Sequence, residues 1–272
     1  MAQLSVLMSI YIKERPENVK ECFDSLLRQT VQADEWVVVE DGPLTKELYS
    51  LLDEYQKKYP GLINRVSLEK NQGLGLALRA GVEACRNDLI ARMDTDDIAR
   101  EDRFEKQLRA FALNPKLDIC GSNIDEFEET PDKIVAQRRV PLKHDEIIEY
   151  QKRRDAFNHM TVMFKKKAVC DAGNYQDCLL MEDSYLWARM IMNDAFCMNI
   201  SDSLVFARIG KGMFERRGGW SYFKKYKNGK KMIYNTGYTN LWTYLYTVII
   251  QFFIAMMPSG IRAWFFKKIL HG

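Results

Sequence analysis

An α/β fold, with a mostly parallel sheet flanked by helices, is predicted by three features of this sequence. Short apolar runs recur through residues 1–120, amphipathic helical stretches separate them, and acidic or glycine-spaced turns follow them. The runs are LSVLMSI from Leu4, EWVVVE from Glu35, LINRVSL from Leu62 and DLIARMD from Asp88, each nearly continuously apolar or β-branched. The clearest helix starts at Pro16, well placed as a first helical residue, and puts Val19, Phe23, Leu26 and Leu27 on one face at a 3.6-residue period. Strand and helix in alternation are βαβ units, which place ligand sites at the C-terminal ends of the strands. From Leu117 the order is less regular: a strand over 117–126, a turn at Pro131, a helix over 144–153, a strand over 161–165, a helix after Glu182 and a strand over 204–208. Around Gly210 to Gly219 the composition turns glycine-rich and basic, so residues 1–210 read as one α/β domain and 211–272 as a basic, aromatic helical extension.

Composition narrows the class. Apolar residues are 47% and charged residues 28% of the 272, which excludes a disordered or collagen-like chain. Forty basic against 37 acidic residues give a net charge of +3, too small for a nucleic-acid signature, so no nucleic-acid partner is expected. The six cysteines are widely spaced with no C-x-x-C pair, which fits a reduced cytoplasmic setting. Met1 leads directly into the first strand pattern, with no basic region or cleavage site of a signal peptide.

The chemistry should follow the strands. Met93 to Asp97, MDTDD, places three carboxylates directly after one of them. Such groups repel one another unless a hard cation sits among them, and oxygen ligands suit Mg²⁺ or Mn²⁺ bridging to a diphosphate. An acidic loop ahead of a helix is the other reading, because carboxylates favour a helix start. Glu40, Asp41 and Gly42 form a second acidic turn, able to accept from a nucleobase imide or a ribose hydroxyl, or simply to turn the chain. Asn71, Gly73, Gly75, Arg79 and Gly81 then open a helix whose N-terminus favours an anion.

In family order and spacing, these elements resemble the family 2 glycosyltransferases of the GT-A, Rossmann-like fold. The resemblance rests on the opening strand with Ser9, Tyr11 and Glu14, the V-V-V-E-D-G turn, the N-x-G-x-x-x-A-x-x-x-G loop and D-T-D-D, with Glu182 and Asp183 matching the family's later E-D element. Glu40 and Pro43 depart from it, standing where the pattern often has Asp and Ser. The resemblance implies a nucleotide-sugar donor, a UDP-sugar, held by residues 1–115 through Ser9, Tyr11, Glu14, Glu40, Asp41, Asn71, Gly73, Arg79, Asp94 and Thr95. Asp94 and Asp96 would hold Mn²⁺ or Mg²⁺. Residues 116–210 would form the acceptor half, with Asp183 as catalytic base and Glu182 beside it. A single base opposite the leaving group means one displacement, which inverts the anomeric carbon. His159 could join the metal or the diphosphate, or be a turn residue, and Arg216 and Arg217 could clamp phosphate as a lid or merely be solvated.

Leu241 to Met257 is apolar apart from Thr243, Thr247 and Gln251, and lysines and arginines flank it. As a helix it reaches roughly 25 Å, at the lower edge of a bilayer core. Its aromatic residues and basic flanks suit peripheral contact, through 241–268, with the inner face of the cytoplasmic membrane; a homodimer interface is the alternative. Membrane contact would suit a lipid-linked rather than a soluble saccharide acceptor in polysaccharide synthesis. Two rivals remain. A nucleotidyltransferase usually has a glycine-rich basic loop after its first strand, where this chain reads YIKERPENV; a non-catalytic nucleotide-sugar-binding or membrane scaffold would not need Asp94, Asp96 and Asp183 intact.

Overall fold

The computed structural model describes residues 3–210, 217–258 and 260–262. Strands β1 (Leu4–Ile10), β2 (Glu35–Glu40), β3 (Ile63–Ser67) and β4 (Leu89–Arg92) run parallel, in the order β3-β2-β1-β4. The two central strands are continuous apolar runs because both of their faces are covered. Leu4, Val6, Met8, Trp36 and Val38 enter one core with Phe23, Leu52 and Phe104; Leu7, Val37 and Val39 enter the other with Leu78, Phe164 and Trp187. Helices α1 (Pro16–Leu27), α2 (Lys46–Lys58) and α4 (Arg103–Leu113) supply the first core, and α3 (Leu74–Ala84) supplies the second. Pro16 starts α1, where its missing N–H costs nothing, and the Thr45 hydroxyl caps α2 by accepting from the Leu48 amide.

The second half extends the same sheet. It comprises β5 (Ile98–Ala99), β6 (Leu117–Phe127), β7 (Ile134–Arg138), α5 (His144–Gln151), a 3₁₀ turn (His159–Thr161), β8 (Met163–Lys165), α6 (Lys166–Asp171), α7 (Glu182–Met192) and β9 (Phe196–Arg208). Beyond β4 the order is β8-β6-β9-β5, with β7 paired to β6; four of these five new pairings are antiparallel and β6 with β9 is parallel. Three boundaries differ from expectation. Strand β9 begins at Phe196, well before residue 204; its polar middle and register shifts opposite Ser122 and Asn123 hide the earlier part. Thr161 belongs to the 3₁₀ turn. Tyr11 and Glu14 lie beyond β1, in a turn closed by the Glu14 amide donating to the Tyr11 carbonyl.

At the C-terminal end α8 (Gly219–Asn235) lies on α7, and α9 (Leu241–Met256) lies on α8. The Asn240 side chain caps α9, which buries Val248 and Ala255 against Phe223. No described helix is long and apolar enough to cross a membrane.

The glycine motif has a packing role that its spacing did not disclose. A Cβ on Gly81 would stand 2.2 Å from a Leu7 methyl and 2.8 Å from a Val39 methyl, so Gly81 brings α3 down onto the sheet. Gly81→Ala should therefore destabilise the fold by about 1–3 kcal/mol through overpacking, read as a lower urea midpoint. An unchanged midpoint would mean that α3 shifts freely.

Candidate active site

Four loops leave the same edge of the parallel strands, after Ile10, Glu40, Ser67 and Arg92, and most of the predicted donor residues lie on them. Asp41 is fixed by its own neighbours. Its carboxylate accepts from the Gln72 amide at 2.7 Å and the Gly73 amide at 3.0 Å, while Asn71 donates to the Asp41 carbonyl at 3.2 Å. Gly42 and Gly73 both have positive φ, and a Cβ on Gly42 would lie 2.5 Å from the Asn71 nitrogen, so only glycine lets the two loops touch.

Two residues expected at the nucleotide are engaged elsewhere. Glu40, nearly buried, takes hydrogen bonds from Arg65 and Ser67 of the adjacent β3, because its position at the end of β2 faces that strand. Arg79 reaches one turn along α3 to Glu83, at 3.3 Å, rather than back to the helix N-terminus. Ser9 offers its carbonyl to the Thr95 hydroxyl at 3.5 Å, and Tyr11 lies half-exposed just past the strand end.

The loop after β4 gathers the acidic groups. One oxygen from each of Asp94, Asp96 and Asp97 lies within 4.8 Å of the others, a hard-oxygen set that fits a divalent cation. Burial, with Asp94 as close neighbour, pushes the Asp96 carboxyl up to about 6, and burial with Asp96 and Asp94 raises Asp97 well above its ordinary value. Glu14 is pushed up to about 7 by burial and by Asp96 and Asp94, so the loop after β1 closes on the same group. Burial is the larger cause of each rise, and the like-charge part is what a bound cation would relieve. Asp94 goes the other way: against burial, Arg92 and His159 hold it well below the usual carboxylate range.

Arg92 is the residue that the sequence reading missed. Its side chain is 0% exposed and its Nη1 donates to Asp94 at 2.8 Å. An arginine inside the apolar run DLIARMD, directly before an acidic loop, was the available signal. Arg208, at the end of β9, pins the loop from the other side: its amide donates to Asp97 at 2.7 Å and its Nε to the Asp96 carbonyl at 3.0 Å. Asp97, noticed only as part of MDTDD, completes the set.

His159 bridges the two halves. Its Nε2 is 3.1 Å from Asp94, and its Nδ1 is 3.8 Å from Asp183 in the first turn of α7. The three-carboxylate set does not include it; the imidazole stands between that set and Asp183. The buried Tyr175 hydroxyl donates to Asp183 at 3.2 Å. Glu182 is pushed up to about 7 by burial and by Asp183, and it lies against α3: a Cβ on Gly75 would be 3.1 Å from the Glu182 Cβ. Arg217 lies apart from this cluster, near Arg138 and Tyr222, and Arg216 is outside the described residues.

The profile of the family described as Glycosyl transferase family 2 matches residues 5–170. The chain belongs to that family. It is therefore a sugar-transferring enzyme of the GT-A fold, and the nucleotidyltransferase reading falls away. The chain is 38% identical over 97% of its length to the amylovoran biosynthesis glycosyltransferase AmsE of Erwinia amylovora, covering 98% of that protein. It is 35% identical over 98% of its length to the UDP-Gal:alpha-D-GlcNAc-diphosphoundecaprenol beta-1,3-galactosyltransferase of Escherichia coli, covering 96% of it. Among solved structures, a mannosyltransferase of Pyrobaculum calidifontis in complex with GDP-Man and Mn²⁺ superposes with a TM-score of 0.65 at 14% identity, over 97% of this chain and 79% of that one. In this chain the Asp94, Asp96 and Asp97 set has the chemistry to hold a divalent cation.

Removing Arg92 while keeping Asp94 leaves a largely buried carboxylate with His159 alone beside it. Arg92→Met should lower the unfolding free energy by about 3 kcal/mol. Combined with Asp94→Asn, the loss should fall short of the sum by at least about 0.5 kcal/mol in urea titrations. Strict additivity would refute the pairing.

Proposed function

We propose that this family 2 enzyme transfers a sugar from a UDP-sugar to a hydroxyl of a lipid-linked saccharide, with inversion, in bacterial polysaccharide synthesis. The observation that carries the reading is the placement of Asp183 across His159 from the Asp94 carboxylate. It sets a second, separate carboxylate beside the metal set, as a single displacement needs. The names of the two bacterial relatives support the donor class and the biosynthetic setting.

On this reading residues 1–115 hold the donor and 116–210 the acceptor. Asp41, Asn71 and Gly73 shape the nucleoside side. Mn²⁺ or Mg²⁺, held by Asp94 and Asp96 with Asp97, would neutralise the charge that builds on the departing diphosphate. Asp183 takes the proton of the attacking hydroxyl. Tyr175 and His159 fix its carboxylate, and Glu182 borders the acceptor. Asp183→Asn should lower transfer by about 10²- to 10⁴-fold while leaving UDP-sugar binding intact, and Asp96→Asn or EDTA should abolish turnover. Transfer at the parent rate by Asp183→Asn would remove the base assignment. Binding of the donor with no turnover by the parent enzyme would favour the scaffold reading.

We place the enzyme in the cytoplasm, at the inner membrane face, by peripheral contact through residues 241–268. The outward side of α9 exposes Leu241, Trp242, Leu245, Tyr246, Ile249 and Phe253, and Trp242 is 81% exposed. The exposed Lys224 of α8 stands over the Trp220 ring, which meets Phe252 of α9, in reach of anionic headgroups. Cosedimentation with phosphatidylglycerol vesicles should be strong and fall with salt, and Trp242→Glu with Phe253→Glu should abolish it. A concentration-dependent dimer lost in the same variant, with no vesicle binding, would identify a homodimer interface instead.

A further inference from the structure

Helix α7 carries the proposed base in its first turn and, further along, grips the loop that steadies that base. The loop, residues 172–175, leaves α6 through a left-handed turn. Gly173 and Asn174 have φ of 83° and 55°, and their amides donate back to the Cys170 and Val169 carbonyls at 2.9 and 2.8 Å. This is a Schellman ending, which satisfies two of the last carbonyls of α6 but leaves those of Ala172 and Asn174 to find donors elsewhere. Arg189 of α7 supplies both. Its Nη1 donates to the Ala172 carbonyl and its Nη2 to the Asn174 carbonyl at 2.8 Å, while its Nε reaches the Tyr185 carbonyl at 3.3 Å. The next residue of the loop, Tyr175, is fully buried and donates to Oδ1 of Asp183 at 3.2 Å. The Asn174 side chain ties the same loop to α3, donating to the Arg79 carbonyl at 3.2 Å.

Arg189 is 9% exposed and lies over the Tyr185 ring at 4.4 Å, and among the described residues no carboxylate pairs with it. Burial accordingly holds it below its ordinary value. An apolar side chain of similar volume would avoid burying a charge, so the guanidinium is explained by its shape: a rigid fork spans two carbonyls, and an ammonium, a single point, does not. What the fork fixes is the place of the Tyr175 hydroxyl against Asp183. The two oxygens of that carboxylate are thereby made unlike. Oδ1 is engaged on the buried side by Tyr175, whereas Oδ2 stands 3.8 Å from Nδ1 of His159, the imidazole that touches Asp94.

We propose that Arg189 is a positioning residue for the base: by bridging the Ala172 and Asn174 carbonyls it keeps the Tyr175 hydroxyl on Oδ1 of Asp183, which leaves Oδ2 as the oxygen that receives the proton. The assignment rests on the transferase reading above and deepens it. In that step the acceptor oxygen bonds the anomeric carbon, the bond from that carbon to the diphosphate breaks, and the hydroxyl proton passes to Oδ2. A carboxylate free to rotate would present either oxygen, and a misplacement of about 1 Å at the reacting atoms is enough to lower the rate about 10²-fold.

The test uses the full chain with Mn²⁺ and follows UDP release from UDP-galactose and from UDP-N-acetylglucosamine, with water in place of the acceptor hydroxyl. Tyr175→Phe should lower kcat about tenfold or more while the donor KM stays within about twofold, the pattern of a contact that matters only to the chemical step. Arg189→Lys and Arg189→Met should do the same, and neither should lower kcat further in the Tyr175→Phe background, because the cation acts through that hydroxyl. Arg189→Met, similar in volume and free of the buried charge, serves where Arg189→Lys lowers the thermal midpoint. Turnover at the parent rate by folded Arg189→Met would overturn the proposal, as would a loss that falls on the donor KM or multiplies with that of Tyr175→Phe. UDP release at the parent rate by Asp183→Asn would instead count against the base itself, so the two failures are distinguishable.

Discussion

The Arg92 guanidinium, fully buried at the end of β4, allows carboxylates from three separate parts of the chain to share one sheet edge. Glu14, the Asp94 to Asp97 loop and Asp183 of α7 converge there, and like charges at that spacing would otherwise force the loops apart or take up protons. Arg92 acts on Asp94 directly, at 2.8 Å, and on Asp183 at longer range. The division of labour follows from that asymmetry. Asp94, next to the cation, stays ionised, while Asp96 and Asp97, further from it, are left with unrelieved repulsion that a metal can answer.

Glycines make the convergence geometrically possible. Gly81 seats α3 on Leu7 and Val39, and Gly75 brings the start of the same helix against the Gln176 carbonyl and Glu182. One helix thus fixes the distance between the nucleotide side, through the Asp41 bonds to Gln72 and Gly73, and the N-terminus of α7 that carries Asp183. The glycine-spaced motif reads in sequence as a phosphate cradle. In the fold, Gly81 is there because a side chain would lift α3 off the sheet, and Gly75 because one would hold the two halves apart.

Much of the fold was legible because β1 and β2 are buried on both faces, and burial on both faces writes a continuous apolar run. Strand β9 was half legible: its centre is polar and bulged, so only its apolar end, 204–208, showed. The acidic positions of the site could be read because they lie on strand-end loops. Which partner each would choose could not. Glu40 turns to Arg65 on a strand distant in sequence, and Arg79 to Glu83, and neither choice is encoded by local pattern. Arg92 and Arg208 escaped for a related reason: each is a single arginine at the end of a strand, and an arginine there also reads as a snorkelling surface residue, although the acidic loop after Arg92 was a signal.

The apolar side of α9 raises a choice that charge can decide. Helix α9 buries only a narrow stripe, Thr247, Val248, Ile254 and Ala255, and leaves its larger residues outward, an apolar side of the kind that marks an interaction surface. A second copy would have to cover them about a two-fold axis, which brings each patch and its border against the same patch and border. That border is basic: Lys224 stands over the Trp220 ring at 5.7 Å, and Trp220 meets Phe252 of α9 edge-on. An isologous pairing brings two copies of that positive charge into one interface, whereas an anionic leaflet meets the same side with opposite charge. The repulsion in the first case and the attraction in the second both act at the rim and are both screened by salt, but with opposite sign. For the proposed membrane contact, a basic rim adds an attraction that is strongest at low ionic strength.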